Sequence, residues 1–361
     1  MKIAIVEPYI GGLGGAQKVI SEYTSFLKTK GHEVEIFTCR KEKSPYSKFN
    51  KIKINVFGYR SKYLSAVNFL FKKIKGFDII IANDFPSYLI SIFNKNVVWV
   101  CYSPKRDFYD LKDFAFKNAN FKGKLIHLIK RLFLKKIDLI SARRMKVIFA
   151  ISKNVESRIL KYYNTQSRIF YPGIYNSVYF NKDYNNNFLS VARFVPPKRV
   201  ENIVRAMEHV KDKRAKLLVI GEGGDKEKIV NLCKNKDNIK FIGKVSEKKL
   251  KDLYARCRAV IYVPVDEDWG LVPLEAAASG KTTIGVNEGG LKEYIINNKN
   301  GFLLENPSPV NIAKKIDLLM GDKQLAKKMG GEAKKGAEKF NWINLLPKFE
   351  KEISQIKRDL V

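Results

Sequence analysis

The sequence is poor in cysteine and histidine, and it lacks long uninterrupted hydrophobic runs. It has 4 cysteines and 3 histidines in 361 residues, and no two cysteines are in a CxxC spacing. This excludes a disulfide framework and a cysteine-based zinc site. Runs such as IIIA at residues 79–82 fall far short of the roughly 18–20 apolar residues that a membrane-spanning helix needs. The start, MKIAIVEPY, becomes polar too soon for a signal peptide, so we expect a cytoplasmic protein.

Acidic residues are also scarce. There are 36 Asp and Glu against 68 Lys and Arg, which gives a formal net charge of +32. A charge of this size predicts polyanionic partners, namely phosphates, an anionic membrane or nucleic acid. The hydrophobic fraction of 45% is that of a globular chain, and the length suits two domains of ordinary size.

Short apolar segments alternate with helical patterns along the chain, and the same alternation restarts near residue 187. Short strands separated by helices favour parallel sheets with helices on both faces. We therefore predict an α/β protein of two doubly wound, Rossmann-like domains that face each other across a cleft. The expected parts are residues 1–172, residues 173–340, and a terminal helix at 341–361 that packs back on the N-terminal domain.

Two segments suggest phosphate binding. GGLGGAQK, residues 11–18, joins the first strand to the first helix, where backbone N–H groups can hold phosphate. It lacks the glycine spacing of a dinucleotide site, which argues against a dehydrogenase. In the second segment, Arg193 ends a strand and Lys198 starts the next helix, so both would point into the ligand crevice and suit a diphosphate. The alternative is a pair of solvated surface cations.

The acidic stretch PVDEDWGLVPLEAAASGK, residues 264–281, combines a loop and a helix start. Pro273 favours the first turn of a helix, so Glu267 precedes the helix and Glu275 lies within it. The two glutamates therefore flank a helix N-terminus. A divalent metal on Asp266 and Asp268 is the alternative, and we expect instead that these residues belong to the loop and the helix cap.

Glu267-x7-Glu275, with Trp-Gly-Leu-Val between, resembles the E-x7-E signature of the retaining GT-B glycosyltransferases of glycosyltransferase family 4, particularly mannosyltransferase-like members. Arg193 and Lys198 match the phosphate pair of that family. The segments LLVIGEGGD, FIGKVSEKKLKDLYARCRAVIYVP and GGLKEYI follow in the family's order, and GGLGGAQK and KGHEVEIFT extend the resemblance into the N-terminal half.

The resemblance implies a role for each matching residue. Glu267, Arg193 and Lys198 would be catalytic: the carboxylate contacts the sugar, and the cations stabilise the leaving diphosphate. Glu275 would bind the ribose of the donor. Further donor contacts would come from the loops and helix starts at these positions: Trp269, Gly270, Leu271, Val272, Gly221, Glu222, Gly243, Val245, Gly14 and Gly15. No metal and no cofactor are expected.

One segment departs from the family. In CYSPKRDFYD, Tyr102 stands where many members have a histidine near the reacting sugar. Tyr102 and Arg106 are candidate acceptor or sugar contacts, and simple packing is the alternative for Tyr102. The three histidines, His32, His127 and His209, are expected to be structural or exposed.

Residues 117–146 contain ten Lys or Arg and a single acid, interleaved with apolar residues. Such a cationic amphipathic helix suits an anionic membrane surface. The alternatives are a helix packed on the N-terminal sheet with a basic outer face, and nucleic-acid binding, for which no recognised module is present.

Together these features predict a retaining hexosyltransferase, cytoplasmic or peripheral on the cytoplasmic face of a membrane. The sugar would move from a nucleotide-diphosphate donor, GDP-mannose-like first and a UDP-sugar next, to a hydroxyl of a lipid-linked or cell-surface glycan. The resemblance implies that the N-terminal domain, residues 1–172, binds the acceptor and that the C-terminal domain, residues 173–340, binds the nucleotide sugar. The alternative is a GT-B protein that binds a nucleotide sugar without transferring it, or an epimerase.

Overall fold

A computed structural model describes residues 1–12, 14–58, 65–111, 133–234 and 236–360. The chain divides into two compact units. Unit 1 comprises Met1–Tyr171 and Leu345–Val361, and unit 2 comprises Pro172–Asn344. The acceptor and donor roles expected for the two domains stay predictions.

Unit 1 is built on a parallel sheet with the strand order β5-β3-β1-β6-β7-β8-β9. A short parallel pair, β2 and β4, lies beside it. The strands are β1 Lys2–Val6, β2 Tyr9–Ile10, β3 Glu33–Thr38, β4 Arg40–Lys41, β5 Lys53–Val56, β6 Ile79–Ala82, β7 Val97–Cys101, β8 Val147–Ala150 and β9 Arg168–Ile169. The central strands β6 and β7 are buried along their whole length, as expected for a parallel sheet covered on both faces.

Helices connect these strands. The α-helices of unit 1 are Gly15–Thr29, Ser65–Phe71 and Lys153–Tyr163, and residues 133–143 are also helical. Short 3₁₀ helices occur at Ser47–Lys51, Ser87–Ile92 and Arg106–Phe108.

The last helix, Trp342–Arg358, begins in unit 2, and its residues from Leu345 onward group with unit 1. Phe349 stacks on Phe170 with ring centroids 4.1 Å apart. Glu350 pairs with His32 at 3.1 Å, and Lys357 pairs with Asp78 at 3.1 Å.

Unit 2 has a six-stranded parallel sheet with the order β12-β11-β10-β13-β14-β15. Its strands are β10 Asn187–Val191, β11 Lys216–Ile220, β12 Ile239–Gly243, β13 Ala259–Tyr262, β14 Thr282–Val286 and β15 Gly301–Leu304. Its α-helices are Val200–Ala206, Lys226–Cys233, Glu247–Arg256, Leu271–Ala278, Pro309–Gly321 and Lys323–Ala337. Its 3₁₀ helices are Asn176–Val178, Pro196–Lys198, Gly289–Glu293 and Glu338–Phe340.

Both sheets run outward from their first strand in two directions. The reversal lies between β1 and β6 in unit 1 and between β10 and β13 in unit 2. In doubly wound sheets, ligands bind outside the carboxyl ends of the strands at such a switch point. Each unit therefore has one topologically favoured ligand crevice.

The four cysteines are buried and unpaired, in agreement with the prediction of no disulfide. No helix among the described residues is long and apolar enough to cross a membrane.

Candidate active site

The switch point of unit 2 brings together the predicted catalytic residues. Arg193 and Lys198 follow β10, and Glu267 follows the neighbouring strand β13. Lys198 ends a 3₁₀ turn, and the α-helix begins only at Val200, because Arg199 between them adopts a left-handed conformation with φ of 48°. The predicted helix start at Lys198 is thus two residues early.

Lys198 and Glu267 form an ion pair that a tyrosine completes. The Lys198 ammonium Nζ lies 2.5 Å from Glu267 Oε2 and donates to Tyr262 Oη at 3.1 Å. The Tyr262 hydroxyl donates to the other carboxylate oxygen, Oε1, at 3.0 Å. Three side chains from two loops and a strand end thus hold one another in place.

Tyr262 was missed by the sequence analysis. It is the last residue of β13, within the apolar run AVIYVP, and its ring is buried. Burial, followed by the negative charge of Glu267, raises the pKa of Tyr262 well above its ordinary value, while Arg193 opposes the rise. The hydroxyl therefore stays protonated and available as a donor. The only signal in the sequence was a polar group at the carboxyl end of a strand.

Arg193 differs from Lys198. Its side chain is exposed, and within the described part of the chain no carboxylate lies at ion-pair distance from it. The site thus offers one cation already neutralised by Glu267 and one that faces solvent. A diphosphate carries enough negative charge to engage both.

The loop at residues 192–198, which carries Arg193 and Lys198, contacts two other loops, one after β11 and one after β13. A Cβ on Gly221 would lie 1.8 Å from the carbonyl oxygen of Ala192, so only glycine permits this approach. The Phe194 N–H donates to the Glu222 carbonyl at 2.9 Å, and the Val265 N–H donates to the Pro197 carbonyl at 2.7 Å.

The predicted contacts Gly221 and Glu222 thus support the cation loop through their backbone. The Gly221 N–H donates to the carbonyl of Gly243 at 3.0 Å, so the turn that carries Gly243 and Val245 lies directly beside them. The backbone bond between Gly221 and Gly243 thus connects these two predicted donor loops.

The helix Leu271–Ala278 begins at Gly270, whose φ of 87° requires glycine. The Tyr294 hydroxyl donates to the carbonyls of Trp269 and Gly270 at 2.9 and 2.8 Å, which fixes the turn. The first N–H groups of a helix have no partner within it, and they carry a partial positive charge. Leu271 and Val272 therefore present an anion site beside Glu267.

The ring of Trp269 does not face this anion site. It is buried, its Nε1 donates to the Pro172 carbonyl at 2.9 Å, and it packs edge-on against Tyr294 and Phe340, each with centroids 5.0 Å away. The indole belongs to the core of unit 2. Any donor contact at this position therefore falls to the backbone.

Glu275 lies in the middle of the same helix and is buried. The Tyr254 hydroxyl donates to Glu275 Oε2 at 3.1 Å. Burial, followed by the charge of Glu275, raises the pKa of Tyr254 well above its ordinary value, so this donor also stays protonated. A carboxylate accepts hydrogen bonds at both oxygens, which suits two adjacent hydroxyls such as those of a ribose.

The two aspartates of the acidic stretch precede the helix. The residue at the N-cap position is Gly270, which has no side chain, and the cap role expected for Asp266 and Asp268 stays a prediction. Asp266 adopts a left-handed φ of 42°. Its N–H donates to Glu288 Oε2 at 2.8 Å, and Arg199 holds the other oxygen of Glu288 at 2.9 Å.

Glu288 was likewise missed from the sequence. The neighbouring Gly289 approaches the same loop, since a Cβ there would lie 2.1 Å from the Glu267 carbonyl. Among the described residues, no group of three or more His, Cys, Asp or Glu is placed to hold a metal ion.

In unit 1, the predicted contact Tyr102 follows β7 and is buried. Within the described residues its hydroxyl has no hydrogen-bond partner. Burial is the first cause that raises the pKa of Tyr102, and nearby Tyr23, Asp84 and Glu7 add to it.

Arg106 is engaged elsewhere. Its Nε and Nη2 donate to Asp110 Oδ2 at 2.9 and 2.6 Å, and Arg158 lies 4.0 Å from the same carboxylate oxygen. The Asp110 carboxylate thus holds the Arg106 guanidinium in place.

Gly14 and Gly15 stand at the start of the helix Gly15–Thr29. The Tyr46 hydroxyl donates to the Gly14 carbonyl at 3.1 Å. Beneath this turn, Gln17 Nε2 donates to Glu7 Oε1 at 3.2 Å. Glu7 is a further residue that sequence analysis missed, although a charged residue directly after β1 was the available signal.

The two histidines among the described residues take no part in these clusters. His32 is bonded to Glu350, and His209 is exposed after the helix Val200–Ala206, as expected of structural and surface residues. His127 and most of the basic segment 117–146 lie outside the described residues.

Comparisons with known proteins bear on the family and the fold. Two family models match adjacent parts of the chain: Glycosyltransferase Family 4 over residues 13–176, and Glycosyl transferases group 1 over residues 177–336. Together they run from residue 13 to residue 336 without a gap.

Individual relatives are distant. An uncharacterized glycosyltransferase of Methanocaldococcus jannaschii, MJ1178, is 28% identical over 54% of this chain, and the aligned part spans only 55% of that protein. The alpha-1,3/1,6-mannosyltransferase ALG2 of Dictyostelium discoideum is 24% identical over 95% of each chain.

The crystal structure of Anabaena HepE in complex with UDP-glucose has a TM-score of 0.80 at 15% identity, over 98% of this chain and 100% of that one. The predicted fold and family are thereby confirmed: the chain is a glycosyltransferase of family 4 with the Rossmann-like domains of the GT-B fold.

Proposed function

We propose that the protein is a retaining hexosyltransferase that uses a nucleotide-diphosphate sugar. The observation that carries this proposal is the Lys198–Tyr262–Glu267 network beside exposed Arg193, at the switch point of unit 2 and next to a helix N-terminus. These groups supply two cations, one carboxylate and a helix dipole around a single crevice. Such a set suits a diphosphate linked to a polyhydroxylated sugar.

In the reaction, the bond between the sugar anomeric carbon and the β-phosphate oxygen breaks, and a bond to the acceptor oxygen forms. Negative charge grows on the leaving diphosphate, where Arg193 and Lys198 stabilise it. Lys198 can turn to the phosphate only if its pairing with Glu267 loosens, and this frees a carboxylate oxygen for the sugar hydroxyls. For retention we propose a front-face route, in which the departing phosphate oxygen takes the acceptor proton.

Glu275 would hold the ribose, with the Tyr254 hydroxyl fixing the carboxylate from the opposite side. For the donor, a GDP-mannose-like sugar nucleotide is favoured and a UDP-sugar is next. The mannosyltransferase relative supports the first, and the UDP-glucose complex of the HepE structure supports the second. The reaction needs no metal in this proposal, since the cations neutralise the leaving group.

For the acceptor we propose a hydroxyl of a lipid-linked or cell-surface glycan. An acceptor anchored on lipid requires that the enzyme reach the headgroups of a bilayer. The cationic character of unit 1 supports this assignment.

Thermal-shift measurements with UDP, GDP, ADP and TDP, followed by their sugar nucleotides, test the donor. We expect one diphosphate to stabilise the protein and Glu275→Ala to weaken its binding by about tenfold or more, since a charged hydrogen-bond acceptor is lost. Lys248→Ala, at an exposed lysine elsewhere in unit 2, is the matched control. Binding without any transfer to glycan acceptors would support the non-transferring alternative. Loss of activity in excess EDTA would contradict the metal-free mechanism.

A further inference from the structure

Unit 1 exposes a stacked pair of aromatic rings. Phe71, at the end of the helix Ser65–Phe71, is 63% exposed, and Phe93, after the 3₁₀ helix Ser87–Ile92, is 48% exposed. Their ring centroids lie 5.7 Å apart with an interplanar angle of 21°. Two large rings that face water side by side form an apolar patch rather than an isolated exposed residue.

A second apolar pair lies on the helical residues 133–143. Phe133 is 69% exposed and Ile140 is 51% exposed. They are seven residues apart, so they lie on the same side of the helix. The opposite side is buried through Asp138, Ser141 and Ala142. This part of the predicted cationic helix therefore both packs on the protein and presents an apolar stripe outward.

Hydrogen bonds connect the elements that carry the two apolar pairs. Ser91, in the 3₁₀ helix Ser87–Ile92, donates from its hydroxyl to the Ser141 carbonyl at 2.9 Å, and Arg144 Nε donates to the Ser91 carbonyl at 3.1 Å. Asn94, two residues after the same 3₁₀ helix, donates from Nδ2 to the carbonyl of Lys72, the residue that follows the helix Ser65–Phe71, at 2.7 Å. The two apolar pairs thus lie on elements that share this 3₁₀ helix as a common neighbour.

The surface is strongly basic. Exposed cations accompany the apolar side chains: Lys73, Lys75, Lys95, Lys136 and Arg143. Residues 65–77 and 92–96 contain no acid, and the single acid of residues 133–146, Asp138, is buried and bonded to Tyr109 at 2.5 Å. Phe71, Phe93, Phe133, Ile140 and these five cations are called the aromatic–basic face below.

We propose that the aromatic–basic face docks unit 1 on an anionic lipid bilayer. Aromatic rings and short apolar stripes enter the boundary between headgroups and acyl chains, while lysines reach the lipid phosphates. Each lysine near an anionic surface adds to the attraction, so several together give stable attachment. The docking extends the proposed function only in bringing a lipid-linked acceptor within reach, and it does not depend on the donor site.

Co-sedimentation with vesicles tests the charge. The probes are vesicles of phosphatidylcholine alone and of phosphatidylcholine with about 30 mol% phosphatidylglycerol. We expect binding to the anionic vesicles only. Lys73→Glu combined with Lys75→Glu should weaken it by about tenfold or more, since two attractions become repulsions. Lys248→Glu combined with Lys249→Glu, at exposed lysines of unit 2, changes the net charge equally and should have a much smaller effect.

The aromatic pair is tested separately. Phe71→Ala combined with Phe93→Ala should weaken vesicle binding by about tenfold, because apolar area no longer enters the interface. Ile296→Ala, which truncates a side chain 56% exposed in unit 2, should leave it unchanged. The Phe71/Phe93 variant and the Ile296 variant should both keep the thermal shift that the nucleotide causes in wild type. The nucleotide measurement therefore tests the donor site separately from membrane binding.

Two outcomes would overturn the docking proposal. The first is equal binding of wild type and the Phe71/Phe93 variant to anionic vesicles. The second is a wild type that ignores the vesicles but binds duplex DNA through the same lysines.

Discussion

The two units have sheets of the same winding and crevices of opposite charge. In unit 2, Arg193 and Lys198 follow β10, and Glu267 neutralises only one of them. In unit 1, the corresponding neighbours β1 and β6 are followed by two acids, Glu7 and Asp84. Since topology alone makes the two crevices equivalent, the residues at the strand ends decide which ligand each accepts.

Hydrogen bonding sharpens this difference. In unit 2, Lys198, Tyr262 and Glu267 bond to one another. In unit 1, Glu7 Oε2 and Tyr102 Oη are buried and have no partner among the described residues. Buried polar groups that lack a protein partner are commonly satisfied by a water or by a ligand. The strand ends of unit 1 thus differ from those of unit 2 in carrying buried oxygen atoms that no described side chain satisfies.

The largest test removes a cation from unit 2. Lys198→Ala should lower kcat by about 10²–10³-fold, because the charge that develops on the leaving group loses its stabilisation. Nucleotide affinity should fall less, since Arg193 and the helix N-terminus remain. Steady-state kinetics measure both, with Lys248→Ala as the control. An unchanged kcat would show that Lys198 does not act in catalysis. The proposed difference between the two crevices would then be wrong.

A second test leaves the charges in place and removes the hydroxyl that aligns them. Tyr262→Phe should lower kcat by about tenfold, since Lys198 loses a buried hydrogen-bond acceptor and Glu267 loses a buried donor. The effect should appear in kcat more than in KM, and the melting temperature should change little. If the variant instead melts at a much lower temperature and loses activity because it unfolds, the role of Tyr262 is packing.

The smallest effect is expected in unit 1. Burial, followed by the charge of Asp84, raises the pKa of Glu7 well above its ordinary value, and Tyr23 and Tyr102 lie in the same cluster. The folded state therefore holds the Glu7 proton more tightly than the unfolded state. Stability associated with this group is present at low pH and is lost as pH rises above the unfolded pKa.

Glu7→Gln removes this titration. The melting temperature of the variant relative to wild type should rise by about 2–4 °C between pH 5 and pH 8. Differential scanning fluorimetry at several pH values measures the gap, with Glu33→Gln, at an exposed acid of the same unit, as the control. A gap that stays constant with pH would show that Glu7 does not titrate differently in the folded protein.

The sequence predicted the fold, the family and the place of the main charges, because these depend on local patterns. Alternating strands and helices put Arg193 and Glu267 at carboxyl strand ends, and neighbouring strands then bring them together. It did not predict Tyr262, because a tyrosine in an apolar run is indistinguishable from a core residue until its hydroxyl is located. The sequence also did not predict that the ring of Trp269 is buried in the core. The motif identifies the position of this residue but not the direction in which its side chain points.

The glycines of unit 2 have a consequence for protein engineering. Gly221 and Gly289 let separate loops meet backbone to backbone, and any larger residue would push those loops apart by more than an ångström. They therefore set how closely these loops approach one another. A change of donor preference should therefore be sought at outward side chains such as Glu222 and Val245, with these glycines left unchanged as spacers.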